Sequence, residues 1–67
     1  MSVAKVTEIT SSSTVSFEDA IKIGIARASK TLKDITGAWV AEQKVKVDGG
    51  KVTEWRVTMK VTFVLND

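Results

Sequence analysis

Asp48-Gly49-Gly50-Lys51 narrows the fold more than any other stretch of this chain. Two-residue hairpin loops whose twist matches the flanking strands need positive φ at their central positions, and paired glycines supply it without steric cost. After the turn, Trp55, Val57, Met59, Val61, Phe63 and Leu65 alternate with Glu54, Arg56, Thr58, Lys60 and Thr62. That period of two belongs to a strand with one buried and one open face. The pattern predicts strands over 35–47 and 52–65, joined by the glycine turn.

The apolar face of this hairpin must cover something, and the residues upstream provide it. Ser16 precedes Phe17, Glu18 and Asp19 in an S-x-x-D arrangement that serves the free N–H groups of a helix start. Ala20, Ile21, Ile25, Ala28 and Leu32 then fall at helical spacing. The helix is expected to run from Phe17 to about Lys33, with Glu18 and Lys22 as an exposed i,i+4 pair and Lys30 and Lys33 at its positive-charge-tolerant end. Gly24 in mid-helix costs about 1 kcal/mol relative to alanine, which marks a close approach of a neighbouring group. Before the helix, 3–10 is rich in β-branched residues and reads as a strand, followed by a polar turn at 11–14. The fold class is α+β. Its order is β-α-β-β, a three-stranded antiparallel sheet wrapped around one helix, with residues 1–67 forming a single domain.

If Gly49 and Gly50 are the turn residues, Gln43 opposes Arg56, Ala41 opposes Thr58 and Trp39 opposes Lys60, and opposed residues share a face. Gly37, Trp39, Gln43, Arg56 and Thr58 therefore gather on the face away from the helix, while Trp55 faces the helix and is expected to be buried. A large aromatic on a nominally wet face implies a subunit interface, a planar ligand stacked on the indole, or a platform for bases. A bulge between Gly37 and Gln43 would reverse the side Trp39 takes.

Composition excludes much of the remaining chemistry. The 67 residues contain no cysteine and no histidine, which removes disulfides, thiol chemistry, zinc sites built on those ligands and histidine-based triads. No carboxylate pair stands beside a recognisable nucleophile, so the chain is read as a non-enzyme with no catalytic residues and no metal ligands. The Asp48 turn lacks the further acidic ligands of a calcium loop, and no G-K-[ST] follows it. Ten basic residues scattered among eight acidic ones give a net charge of +2, too little to indicate a nucleic-acid binder by itself. No apolar run approaches the ~20 residues of a membrane helix, and a cytoplasmic location is expected. A chain this short hides only ~60% of its unfolded surface, which leaves self-association as the remaining source of added stability.

Four stretches taken in order, V-x-K-V-T-E-I, S-F-E-D-A-I-x-x-x-I-x-R-A-S-K-T-L, D-G-G-K-V and V-T-M-K-V-T-F-V-L, resemble the dodecins from end to end. Dodecins are small β-α-β-β proteins that assemble as hollow dodecamers and bind flavins. The resemblance implies a homododecamer and a flavin ligand such as riboflavin or FMN. Family members that bind flavin stack a tryptophan on the isoalloxazine ring and hydrogen-bond its pyrimidine edge with a glutamine. By the spacing to D-G-G-K-V, those positions correspond to Gly37 and Arg56. Trp39 lies two residues further on the same face, a displacement of roughly 6–7 Å. Arg56 can donate to flavin carbonyls but offers no acceptor for the ring N–H.

Three functions follow. The first is a dodecin-like oligomer that stores or sequesters a flavin or related planar ligand. The second is a dodecin-like shell without flavin binding, in which Trp39 and Arg56 pack subunit interfaces. The third, least favoured, is a single-stranded nucleic-acid module that stacks bases on Trp39 beside Lys44, Lys46, Lys60 and Arg56.

Overall fold

The computed structural model describes residues 3–65. Strand β1 (Val3–Ser13) leads to helix α1 (Phe17–Ala28), and β2 (Ile35–Asp48) and β3 (Lys51–Leu65) form a long hairpin. The sheet order is β1-β3-β2, with both pairings antiparallel. This is the expected α+β arrangement. Gly49 and Gly50 have φ of 57° and 77°, the left-handed conformations that a primed hairpin turn requires.

The helix lies on the face of β3 that carries Val57, Met59 and Val61, all buried. Ala20, Gly24 and Ala28 repeat every four residues and form its buried stripe. Small side chains there let the helix settle close to the sheet. Ala20, Val57 and Met59 form the core cluster, with Ile9, Phe17, Ile21, Ile25 and Val40 packed around it. The close approach expected at Gly24 is present: a β-carbon there would stand 2.7 Å from Met59 Cε and 2.9 Å from Ser11 Cβ. Ser16 caps the helix, its hydroxyl accepting the Asp19 N–H at 3.0 Å. Glu18 and Lys22 form the expected exposed pair at 3.2 Å.

Two boundaries differ from expectation. The serines at 11–13 are not a turn; they complete β1 and pair with Val57, Arg56 and Trp55. Ser11 and Ser13 are buried against the helix, and Ser13 donates from Oγ to Asp19 Oδ2 at 2.6 Å while accepting the Val15 N–H at 2.9 Å. Their small size is what the helix requires at that level. The helix in turn stops at Ala28 rather than near Lys33. Its end tightens through i→i+3 bonds from Lys30 N to Arg27 O and from Thr31 N to Ala28 O, and the Ser29 hydroxyl donates back to Ile25 O. Asp34, at φ 59°, then turns the chain into β2. Lys30 and Lys33 therefore lie beyond the helix.

The hairpin begins in the expected register, with Asp48 opposite Lys51 and Val47 opposite Val52. An irregularity next to Thr53 shifts it by one residue, so that Lys46 opposes Glu54 and Lys44 opposes Arg56. The Thr53 hydroxyl donates to the Lys46 carbonyl at this point. A second shift at Ala41, now on the other strand, returns the register so that Trp39 opposes Lys60 as predicted. A third lies at Thr36. The expected pairs Gln43–Arg56 and Ala41–Thr58 are corrected to Lys44–Arg56 and Glu42–Thr58. The cause is the extra residue that each bulge inserts into one strand.

Candidate functional site

The open face of the sheet, turned away from α1, is built by rows of three opposed residues. Ser12, Arg56 and Lys44 form one row; Thr10, Thr58 and Glu42 the next; Glu8, Lys60 and Trp39 the third; and Val6, Thr62 and Gly37 the fourth. Four of the five residues singled out in the sequence, Gly37, Trp39, Arg56 and Thr58, thus share this face. Gln43 does not. It opposes Val57, whose side chain is buried under the helix, so the register shift places Gln43 on the helix side of the sheet. Trp55 also lies on the helix side, opposite Val45, but is only partly buried, because it stands at the level where β1 ends.

Trp39 is half exposed at 50% of its surface, in the middle of β2. Gly37, two residues away on the same face, has nothing within 4 Å of where a β-carbon would project. The indole and the open space at Gly37 therefore lie on the same face of the sheet. Lys60 beside it is partly buried and supplies a positive charge, while Thr58 supplies a hydroxyl that lies 3.3 Å from the Thr10 hydroxyl.

Arg56 is engaged at the far end of the face, where its Nε donates to Glu54 Oε1. That hydrogen bond, aided by the charges of Arg56 and Lys46 and by a bond from Ser12, holds the Glu54 carboxyl below its usual pKa. Glu42, in the next row, lies 3.6 Å from Lys44 of its own chain. Lys60 and Arg56 stand four positions apart along β3, which puts Trp39 and Arg56 roughly 13 Å apart along the strand, and Gly37 and Arg56 roughly 20 Å apart. One planar ring system on Trp39 therefore does not reach Arg56 within a single protomer.

Ser12, Thr10 and Glu42 also belong to this face and were not singled out in the sequence, and Lys44, named there only for the nucleic-acid reading, joins them. Extending the β1 alternation through the serines would have found Ser12. Glu42 and Lys44 required knowledge of the bulges.

Comparisons with known proteins place these features in a family. The Dodecin family model matches residues 3–66. Calcium dodecin of Mycobacterium tuberculosis is 41% identical over 64 residues, spanning 94% of this chain and 89% of that protein. The dodecin of Streptomyces davaonensis superimposes with a TM-score of 0.94 at 36% identity, covering 98% of this chain and 97% of that one. An alanine variant of Thermus thermophilus dodecin gives 0.95 at 31% identity, with complete coverage of both chains. The crystal structure of the calcium-chelating dodecin of M. tuberculosis gives 0.82 at 35% identity, covering 96% and 91%.

Proposed function

The chain belongs to the dodecin family, and on that premise we propose that it is a homododecameric storage protein that takes a planar aromatic ligand, a flavin by the family's example, on the indole of Trp39. The half-exposed Trp39 beside the open space at Gly37 carries this reading. An indole face in that position gains about 1 kcal/mol from ring stacking beyond the area it covers. Thr58 and Lys60 add a hydroxyl and a cation at the ring's edge, suited to carbonyl oxygens or a phosphate. The ligand is held, and the protein acts by sequestration.

The test is a titration. Riboflavin or FMN added to the assembled protein should lose fluorescence, and Trp39→Ala should abolish that loss while the oligomer persists. Absence of quenching near millimolar flavin, with the assembly confirmed in the same sample, would overturn the reading in favour of the ligand-free shell. Oligonucleotide binding that weakens steeply with salt would favour the nucleic-acid module instead.

The name of the M. tuberculosis relative supports a second reading, storage of calcium. Calcium takes six to eight oxygen ligands. Among the described residues no group of three or more acidic or other metal-binding side chains is gathered, so such a site here would combine carboxylates from more than one chain. Glu8 and Glu42 on the open face are the available contributors. Calorimetric titration of the assembled protein with calcium, compared with a Glu8→Gln and Glu42→Gln variant, distinguishes this reading from the flavin one.

A further inference from the structure

Trp39 stands in one row with Lys60 on β3 and Glu8 on β1, one residue from each strand on the open face. The neighbouring row of Gly37, Thr62 and Val6 has no bulk at its β2 end, where a β-carbon on Gly37 would meet nothing within 4 Å. Rows on one face of a sheet lie roughly 7 Å apart, because two residues at ~3.4 Å separate them. A flat ring laid against the indole on its Gly37 side fits that interval. With strands ~4.8 Å apart, the ring extends from β2 across Lys60 toward Glu8.

The charged groups of this face divide into two sets. Arg56 is bonded to Glu54, and Lys44 lies 3.6 Å from Glu42. Glu8 and Lys60 oppose one another directly, yet among the described residues neither side chain has an ion pair or a hydrogen bond. Opposite charges at such positions ordinarily join. Here one acceptor and one donor remain uncommitted, both in the row of the indole. A ring edge of the pyrimidinedione type alternates carbonyl, N–H and carbonyl, so a site that reads it needs an acceptor as well as a donor. Arginine and lysine only donate, whereas a carboxylate accepts. The Thr58 hydroxyl is already 3.3 Å from that of Thr10, and Glu8 is the carboxylate of this face without a partner.

We propose that Glu8 and Lys60 together read the edge of the ring stacked on Trp39, Glu8 accepting a ring N–H and Lys60 donating to the carbonyl next to it. This rests on the stacking reading above and adds the ligand class: planar rings that carry a carbonyl beside an N–H, flavins and dioxopteridines among them. Rings without that N–H are selected against, because the carboxylate then faces a group with no proton to share. The edge contacts belong to the same protomer as the indole, while Arg56 stands roughly 13 Å further along the strand.

The test compares riboflavin with N3-methylriboflavin, in which a methyl group replaces the ring proton and the stacking surface is kept. Each is titrated into the assembled protein in calcium-free buffer with a chelator, and binding is read from flavin fluorescence. Riboflavin should bind about tenfold more tightly or better. Glu8→Ala should bring the ratio near one by weakening riboflavin alone, and Glu8→Gln, which keeps a neutral acceptor, should retain part of the discrimination. Lys60→Met should weaken both flavins. Equal affinities in the wild-type protein would overturn the inference and leave the stacking reading standing. A ratio unchanged in Glu8→Ala and Glu8→Gln would overturn it too, by assigning the discrimination to the bulk of the methyl group. Undiminished binding of both flavins by Lys60→Met would remove Lys60 from the proposal. Absence of quenching by either flavin near millimolar concentration would remove the stacking reading and the inference together.

Discussion

At Gly24 the helix and the sheet are as close as their atoms allow. A β-carbon there meets the mobile tip of Met59 and also the Ser11 β-carbon, which is fixed by its own backbone. Alanine would gain about 1 kcal/mol of helix propensity but incur overpacking of about 1–3 kcal/mol, because Met59 can swing aside and Ser11 cannot. Gly24→Ala should therefore lose about 1 kcal/mol net, read as a lowered guanidinium midpoint at fixed protein concentration; a raised midpoint would mean that the helix sits looser than described. Glu54 gives a prediction of different sign structure. Folding lowers its pKa through the Arg56 hydrogen bond, so its contribution to stability is complete above the ordinary carboxylate pKa and is lost as pH falls through the lowered value. The urea midpoint of Glu54→Gln should lie below wild type at neutral pH and meet it in strong acid. A gap that persists in acid would assign the effect to packing instead of charge.

Elements make their own demands on local sequence, and here those demands separate what could be read from what could not. Ser16 accepts the Asp19 N–H, and Asp19 in turn accepts from Ser13, so one short segment ties β1 to the start of α1. Ser16→Ala should cost about 1 kcal/mol, visible in thermal denaturation, and a loss near zero would show that Ser13 and Asp19 hold the junction alone. The cap was legible because it depends on four consecutive residues. The glycine turn was legible for the same reason, and Gly24 because a costly residue in a helix needs a neighbour to justify it. The bulges were not legible. Thr53 and Ala41 carry no local mark, and each is set by how the twisted hairpin fits β1 and α1. Their opposite senses cancel at Trp39, which kept its predicted face, but not at Gln43, which lies between them and was inverted. The serine run was misread because serine favours turns locally; pairing along β3 and the need for small side chains beneath the helix outweighed that preference. Of the candidate site, the face of Trp39 and the change at Gly37 were visible in the sequence, while the neighbours of Arg56 depended on the register.

For the whole molecule, stability and assembly should be one measurement. The described core rests on few fully buried large side chains, Met59, Val57 and Val61, while the β2–β3 ribbon, with Val45, Val47 and Val52 exposed, projects past the end of β1. A compact small domain already hides little of its surface, and this one, at 4875 Å², exposes more than its mass warrants. The proposed assembly draws on the folded state alone, so dilution should draw the chain toward unfolding by mass action. The expected result is a melting temperature that rises with protein concentration, together with dilution curves in which helix ellipticity and sedimentation coefficient fall at the same concentration. Light scattering above that concentration should give twelve times the chain mass of 7.3 kDa. Val47→Lys tests the ribbon's share of this coupling: exposed in an isolated chain, it should cost a monomer little, but it should move the dissociation midpoint of the assembly to at least tenfold higher concentration. A folded monomer that persists at nanomolar concentration, or a melting temperature independent of concentration, would show that the three-stranded core sustains itself and that the ribbon tolerates water.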